Sequence, residues 1–489
     1  TLLQGSVDVE TEDVIYDSRK AAPGKVFVAM KGIRVDGHSF IPQVLKAGVR
    51  VLVTERPVEE ELKNSGLSED ELKQVTVVMV EEGRHALALL SAARFDHPAK
   101  KLVMIGVTGT KGKTTTTHMI RAILLAAGKK VGMIGTTGTV IGYVVTPTLN
   151  TTPESYELHQ AFAQMVEAGC EYAVMEVSSQ GIKMHRTDGL YFNYAIFTNI
   201  SPDHIGPGEH ADFEEYLYYK TRLLNMCGIG LVNKDDKHAP QIIKAANCEL
   251  YTYSEESKEA DFVASDIRYV SQPDFVGTEF HISGKYDMEV RLGIPGLFNV
   301  VNALAAVSVC SFLGLDQARI SHALENIRVN GRMEIVYTSE RCTVLVDYAH
   351  NAVSMESLLS TLRDYKPKRL VCVFGCGGNR SKDRRYSMGE IGGKMADLSI
   401  ITADNSRYEK VEDIIADIRG SIEKTGGKFI EIPDRREAIR YSILHAQPGD
   451  MVAVIGKGHE DYQEINGVRH HFLDREVIEE TVKELGEKA

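Results

Sequence analysis

The sequence predicts an α/β protein in three domains, with a middle domain built on a parallel sheet and a further α/β domain on each side. Three observations predict it. Short β-branched runs alternate with helical stretches to the end of the chain, the pattern of strands joined by crossover helices. At 489 residues the chain is too long for one hydrophobic core. The strand-like runs end in clusters of Gly, Asp or Asn, which puts polar loops at the carboxyl ends of parallel strands, where such sheets carry their sites.

Residues 1–95 form the first predicted domain, with strands in Val26-Phe-Val-Ala-Met30 and Val51-Leu-Val-Thr54 around the helix-like Ile41-Pro-Gln-Val-Leu-Lys-Ala47. The polar, proline-containing Asp96-His-Pro-Ala-Lys-Lys101 reads as a linker. A second domain, 96–330, opens with the strand Leu102-Val-Met-Ile-Gly-Val107 and closes where Val329-Asn-Gly331 breaks a helix. The third, 331–489, holds strand-like runs at Leu370-Val-Cys-Val-Phe374, Leu398-Ser-Ile-Ile-Thr402 and Met451-Val-Ala-Val-Ile455.

An apolar content of 43% with 25% charged residues is that of a packed globular chain. A net charge of −12 argues against nucleic-acid binding through a general basic surface, yet leaves room for local Lys and Arg clusters that hold phosphate. The start, Thr1-Leu-Leu-Gln-Gly5, is no signal peptide, and no apolar run reaches the roughly 18 residues of a membrane span. Seven cysteines without metal-ligand spacing suit a reducing cytoplasm, and Cys372 and Cys376, the closest pair, read as structural. The expectation is a cytoplasmic monomer with no nucleic-acid partner.

Gly109-Thr110-Lys111-Gly112-Lys113-Thr114-Thr115 follows a strand and leads into the apolar helix Met119-Ile-Arg-Ala-Ile-Leu-Leu-Ala-Ala127, which Gly128 stops. This is the context of a phosphate-binding loop, in which backbone N–H groups and a helix N-terminus surround phosphate oxygens. Lys113 would neutralise the β- and γ-phosphates, and Thr114 would offer its hydroxyl to magnesium. The general pattern asks for glycine five residues before Gly112, and Val107 stands there. The loop alone says ATP or GTP and leaves the chemistry open.

The glycine spacing of this loop resembles that of the Mur ligase and folylpolyglutamate synthase superfamily, and the resemblance covers nearly the whole chain. Asp17-Ser-Arg19, Phe27-Val-Ala29 and Asp36-Gly-His38 are similar to the amino-terminal uridine-nucleotide domain of a Mur ligase. Asn150-Thr-Thr-Pro-Glu154, Met175-Glu-Val-Ser-Ser179, Phe197-Thr-Asn199 and Asp203-His204 follow in order. Then come Phe298-Asn-Val-Val-Asn302, Gly331-Arg-Met-Glu334, Asp347-Tyr-Ala-His350, Asp404-Asn-Ser-Arg407 and Gly456-Lys-Gly-His-Glu460. The resemblance implies a central P-loop ATPase domain and a Rossmann-like carboxyl-terminal domain. It also implies an ATP-dependent ligase of peptidoglycan precursor synthesis, which releases ADP and phosphate. The γ-carboxylate of D-glutamate in UDP-N-acetylmuramoyl-L-alanyl-D-glutamate attacks the γ-phosphate of ATP, and an incoming amine then attacks the acyl phosphate.

Carboxylate, triphosphate and acyl phosphate repel one another in a low-dielectric cleft, so such chemistry requires Mg2+ and lysine charge. The resemblance assigns magnesium to Thr114, Glu176, His204 and Lys220, the last as a carbamate derived from carbon dioxide. Read alone, Lys220 is a solvated helix lysine and His204 a loop histidine beside an aspartate. Carbamate formation needs a neutral amine, which burial near other cations favours. The same resemblance places Asn302 at the adenine, Arg332 at the γ-phosphate and Asp347 at the ribose. Arg332 and Asp347 lie in the third domain, so its closure over the phosphate loop is expected to assemble the ATP site. Ser18 and His38 would contact the uridine diphosphate, and Asn150, Thr151, Thr152, Ser178 and Arg186 would line the muramoyl-peptide channel. Thr152-Pro-Glu154 also reads as a helix N-cap with proline in the first turn. Met184 stands where the family carries glutamine.

meso-Diaminopimelate differs from lysine by a carboxylate beside the distal amine, and an arginine fork recognises a carboxylate with two parallel bonds. Arg407 holds the arginine place of the family's Asp-Asn-Pro-Arg signature, with Asp404, Asn405 and Ser406 before it, and Arg385 resembles a second carboxylate contact. Glu460 and the Gly456 carbonyl would receive the distal ammonium. Ser406 replaces proline, and Asp404 with Arg407 also reads as a loop salt bridge. Lysine addition on the same scaffold, folylpolyglutamate synthesis and a non-catalytic P-loop switch remain the alternatives.

Overall fold

The computed structural model describes residues 1–32 and 35–486 and divides into two compact units. The first holds residues 1–253 with 308–310, and the second holds 254–307 and the chain from 311 onward.

The first unit contains two sheets. Its amino-terminal sheet runs in the order Leu2–Gln4, Thr76–Met79, Val51–Thr54, Lys25–Val28, Asp13–Ile15. All pairings but the first are parallel. Period-two alternation sends Phe27 and Leu52 to one face, against Ile41 and Leu45. Val26, Val28 and Val53 go to the other, against Leu87 of the helix Gly83–Arg94. Asp96 and His97 take left-handed backbone angles and lead into the 3-10 helix Pro98–Lys101.

The central sheet follows, and its parallel strands are Glu249–Ser254, Cys227–Asn233, Phe192–Phe197, Val103–Thr108, Tyr172–Glu176 and Val131–Gly135 in spatial order. Gly138–Ile141 and Val144–Thr146 extend it antiparallel. Val103–Thr108 lies between Phe192–Phe197 and Tyr172–Glu176, so three polar loops emerge side by side at the carboxyl ends of these strands. The helix Lys113–Ala126 buries Met119, Ile120, Ile123 and Leu124, and the helix Ser155–Glu167 buries Leu158, Phe162 and Met165.

The second unit begins with three antiparallel strands, Phe262–Gln272, Phe275–Gly284 and Met288–Leu292. Its six-stranded sheet runs Glu334–Thr338, Cys342–Asp347, Asp450–Ile455, Arg369–Phe374, Leu398–Ile401, Phe429–Glu431, parallel except at the first pairing. Val344, Val346, Val371, Val373, Val452 and Val454 form the apolar heart of that sheet. The expected strands at 370–374, 398–402 and 451–455 are present within a residue at each end. All seven cysteines are free, and burial pushes the Cys372 and Cys376 thiols up, which leaves them inert. Among the described residues no helix is long and apolar enough to cross a membrane.

Candidate active site

The phosphate loop is built by two glycines and clasped by a neighbouring strand. Gly109 and Gly112 have φ of +146° and +86°, and a Cβ at Gly109 would stand 1.9 Å from Thr198 Oγ1. The Thr110 amide donates to the Asn199 carbonyl (2.9 Å), the Lys111 amide to Asn199 Oδ1 (2.9 Å), and Thr198 Oγ1 to the Lys111 carbonyl (2.7 Å). Phe197-Thr-Asn199 therefore acts as the loop's backing. The loop opens onto the N-terminus of the helix Lys113–Ala126, whose dipole and first-turn N–H groups favour an anion. Thr114 and Thr115 are buried in its first turn.

Glu176, 1% exposed, ends the adjacent strand. Its Oε1 accepts from Thr114 Oγ1 (3.0 Å) and the Thr136 amide (2.9 Å), and Oε2 accepts from Thr136 Oγ1 (3.3 Å). Thr114 and Glu176, predicted from separate motifs, thus meet as a pair of hard oxygen donors beside the phosphate loop. Thr136 belongs to no motif, and sequence reasoning missed it.

Lys220 is not a solvated helix lysine. It is 2% exposed at the end of the helix Phe213–Thr221, and its Nζ donates to the Gly109 carbonyl at 2.8 Å. Lys113 Nζ donates to the same carbonyl at 2.8 Å and to Thr110 O at 3.2 Å. Burial first, and the Lys113 charge second, hold the Lys220 amine well below the ordinary lysine range, with Asp203 opposing. The Tyr216 ring lies 4.7 Å from Nζ.

His204 lies in the loop before the helix Phe213–Thr221, its ring 6.2 Å from that of Tyr216. It is 58% exposed with φ +54°, and its Nδ1 lies 3.1 Å from Glu209 Oε1.

The residues expected along the muramoyl-peptide channel largely converge. Thr151 Oγ1 lies 3.0 Å from Thr136 Oγ1. Thr152 is buried; its hydroxyl donates to the Glu176 carbonyl (3.0 Å) and accepts from the Ser178 amide (2.9 Å). It does not cap a helix: the helix Ser155–Glu167 has Glu154 at its N-cap, without a side-chain bond. Ser178 caps the short helix Ser179–Lys183 through the Gly181 amide. Arg186 donates to the Thr152 carbonyl (3.0 Å) and pairs with Glu154 (2.7 Å), and Asn150 is exposed. In the amino-terminal sheet, Ser18 lies half-buried in a 3-10 turn capped by Asp17. His38 is fully enclosed: Nδ1 lies 2.6 Å from Asp36 Oδ1, and Nε2 accepts from the Glu55 amide at 3.0 Å. Both ring nitrogens are thereby occupied, and its visible role is to pin the 36–40 turn to a strand end.

In the second unit, Asp347 accepts from the Met333 and Ala349 amides, 2.8 Å each. Burial raises its carboxyl while Arg332 opposes. The Arg332 guanidinium lies 5.0 Å from the Tyr348 ring, and Asn302 Nδ2 donates to Asn299 Oδ1 (3.2 Å). Asn405 and Glu460 are brought together, Nδ2 to Oε2 at 2.9 Å, over the buried Lys457, whose Nζ is 3.5 Å from that carboxylate. Asp404 lies beside Gly456: a Cβ there would be 2.6 Å from Asp404 Oδ2. No salt bridge joins Asp404 to Arg407 among the described residues. Arg407, at φ +52°, donates to the Gly378 carbonyl (3.0 Å) and lies 3.7 Å from Glu464.

Arg385, expected as a second carboxylate contact, is 1% exposed, and its guanidinium is already held by Glu409 (two bonds of 2.8 Å) and Asp417 (2.9 Å). Arg380, five residues earlier at the end of the glycine loop Gly375-Cys-Gly-Gly378 that follows the strand Arg369–Phe374, is exposed and has no hydrogen bond or ion pair among the described residues.

Known families match this architecture along its length. The Mur ligase family catalytic domain matches residues 11–95, the Mur ligase middle domain 107–310, and the Mur ligase glutamate ligase domain 331–458. A UDP-N-acetylmuramoyl-L-alanyl-D-glutamate–2,6-diaminopimelate ligase of Caldanaerobacter subterraneus is 39% identical, over 99% of this chain and 97% of that protein. The chain belongs to the Mur ligase family. A Geobacillus thermodenitrificans protein of the same name is 38% identical over 96% of this chain and 94% of its own length. A solved structure bearing that enzyme's name superposes with a TM-score of 0.74 at 29% identity, covering 99% and 98% of the two chains. A Mycobacterium tuberculosis folylpolyglutamate synthase shares the Mur ligase fold at a TM-score of 0.59 and 18% identity over 76% of this chain.

Proposed function

We propose that this chain is the ATP-dependent ligase that joins meso-2,6-diaminopimelate to the D-glutamate γ-carboxylate of UDP-N-acetylmuramoyl-L-alanyl-D-glutamate, in the cytoplasm and as a monomer. Its three domains are read as 1–95 for the uridine nucleotide, 96–330 for ATP and 331–489 for the amino acid. The near-full-length relatives carry that substrate name, which favours diaminopimelate over lysine and over folate chemistry. The observation that carries the catalytic reading is the buried Lys220 amine on the Gly109 carbonyl, beside Lys113 and one loop away from the Thr114–Glu176 pair.

The phosphate loop and Lys113 hold the triphosphate. Thr114 and Glu176 are hard donors that fit Mg2+, with His204 and carbamylated Lys220 proposed as further ligands. Magnesium, when bound, supplies positive charge against the triphosphate and the developing acyl phosphate. Burial and the Lys113 charge favour the neutral Lys220 amine, the form that adds to carbon dioxide: the N–C bond forms as one C=O electron pair passes to oxygen, one proton leaves the nitrogen, and a neutral amine becomes an anionic oxygen donor. Thr152 and Ser178, fixed to the strand end of Glu176, hold the muramoyl-peptide channel in register with the phosphate loop. Asn302, Arg332 and Asp347 are assigned to adenine, γ-phosphate and ribose by family position. For the amino acid, Arg407 takes the distal carboxylate and Asn405 with Glu460 the distal ammonium. Arg380 is the better second carboxylate contact, because Arg385 is already neutralised.

Phosphate release from ATP with the nucleotide dipeptide tests the reading: it should require an amino acid, with diaminopimelate strongly preferred to lysine. Release that is the same without any amino acid would overturn it. Lys220→Ala should lose nearly all turnover, and short carboxylic acids should partly restore it; full activity in Lys220→Ala would remove the carbamate from the mechanism.

A further inference from the structure

Away from the phosphate loop, the described residues bring together one set of three metal-competent side chains, His85, His185 and Asp188, whose donor atoms all lie within 4.8 Å of one another. His85 Nδ1 is 2.6 Å and His185 Nδ1 2.8 Å from the same oxygen, Asp188 Oδ2. The two imidazoles meet edge to face, 6.3 Å between centroids at 79°, so their Nδ1 atoms converge from different directions rather than stacking. His85 lies in the first turns of the helix Gly83–Arg94. His185 and Asp188 lie in the turn after the helix Ser179–Lys183, which His185 enters with φ +55°. The three side chains are 50%, 37% and 20% exposed, so a hydrated ion can reach them.

We infer that these residues form a binding site for a borderline divalent cation of the zinc type. Two imidazole nitrogens and one carboxylate oxygen, with an open side for water, are the donor set of tetrahedral zinc and its cobalt surrogate; magnesium and calcium prefer sets dominated by oxygen. Both histidines already direct Nδ1 at the carboxylate, so ligation needs each proton to move to Nε2 and the donors to spread around an ion rather than refold. The site joins two segments distant in sequence. Its neighbours are not idle: Arg84, beside His85, lies 3.4 Å from Glu154, and Arg186, beside His185, lies 2.7 Å from the same carboxylate. A bound ion would thus fasten the amino-terminal helix to the turn that carries Arg186, and set how far Glu154 and Arg186 can move when the peptide channel fills. The inference does not depend on which amino acid the ligase adds.

The test is direct binding to the full chain. Cobalt(II) and zinc(II) are titrated into metal-free protein, with cobalt followed by its visible tetrahedral absorption and zinc by competition with a chromophoric chelator. One equivalent should bind to the wild type with the tetrahedral spectrum. Affinity should fall at least tenfold in His85→Gln and in Asp188→Asn. His85 is half exposed on a helix face, so His85→Gln should fold normally, and circular dichroism checks this. No tetrahedral signal in the wild type would overturn the inference. So would a signal and affinity unchanged in His85→Gln, which would place the ion elsewhere; the three residues would then serve only as a hydrogen-bonded tie.

Discussion

His159 offers a quantitative test of the core under the helix Ser155–Glu167. It lies in the helix Ser155–Glu167, 2% exposed, and neither ring nitrogen has a hydrogen-bond partner among the described residues. Phe162 packs edge-on at 6.1 Å, and burial, reinforced by the nearby His97 charge, lowers its pKa from the ordinary 6.5 to about 4. The folded chain therefore refuses a proton that the unfolded chain accepts between pH 6.5 and 4, so stability falls as pH falls through that window. A shift of this size implies a loss of about 2 kcal/mol between pH 7 and pH 5 from this one side chain. His159→Leu removes the titrating group and its two unsatisfied nitrogens while keeping the packing apolar. Urea unfolding of both proteins at pH 7 and pH 5 gives the double difference, in which the contributions of all other titrating groups cancel. The acid loss should shrink by about 2 kcal/mol in the variant. An equal loss in the two proteins would mean that His159 is not held neutral by burial, and the argument would fail.

Three further expectations concern the reaction. Arg407→Ala should raise KM for diaminopimelate by one to two orders of magnitude, about 1.5–3 kcal/mol for a lost charge-assisted contact, while narrowing the preference over lysine; unchanged selectivity would refute its role. Arg380→Ala should raise KM for diaminopimelate with little change in melting temperature. Arg385→Met should instead lower thermal stability, because it removes the buried guanidinium that joins Glu409 to Asp417 and leaves those carboxylates to Asn379 and Lys382, and the reverse pattern would restore Arg385 as the ligand contact. Thr136→Val removes one hydroxyl from the Glu176 carboxylate and keeps the backbone bond, so kcat should fall severalfold with the magnesium requirement moved to higher concentration; a change in KM for diaminopimelate alone would contradict that placement.

The phosphate loop was legible because its information is local: two glycines, a lysine and a helix N-terminus lie within seven residues. The family resemblance singled out Glu176 and Lys220, although only the fold reveals that Lys220 is buried against Gly109. Arg380 and Arg385 show where sequence runs out. Both are arginines after the same glycine loop, and what separates them is the position of Glu409 and Asp417, which come from later segments. Thr152 failed as a cap for a similar reason: a bond to the Glu176 carbonyl, 24 residues away, outcompeted the local one. The strands Phe262–Gln272 and Phe275–Gly284 went unread because their alternation is interrupted by polar residues and a register shift between Ser265 and Arg268.

The short hairpin formed by Tyr462–Ile465 and Val468–His471 changes how the Asp404–Arg407 segment can vary over time. The Arg407 amide donates to the Glu464 carbonyl, the Asn466 amide to the Arg407 carbonyl, and the Glu464 amide to Asn405 Oδ1. A separate ribbon of chain thus holds the backbone of this segment from outside, so its stiffness does not rest on residue 406 alone. Ser406→Pro should be nearly silent, whereas shortening the ribbon should loosen amino-acid choice with Asn405, Arg407 and Glu460, the residues proposed for the amino acid, all left in place.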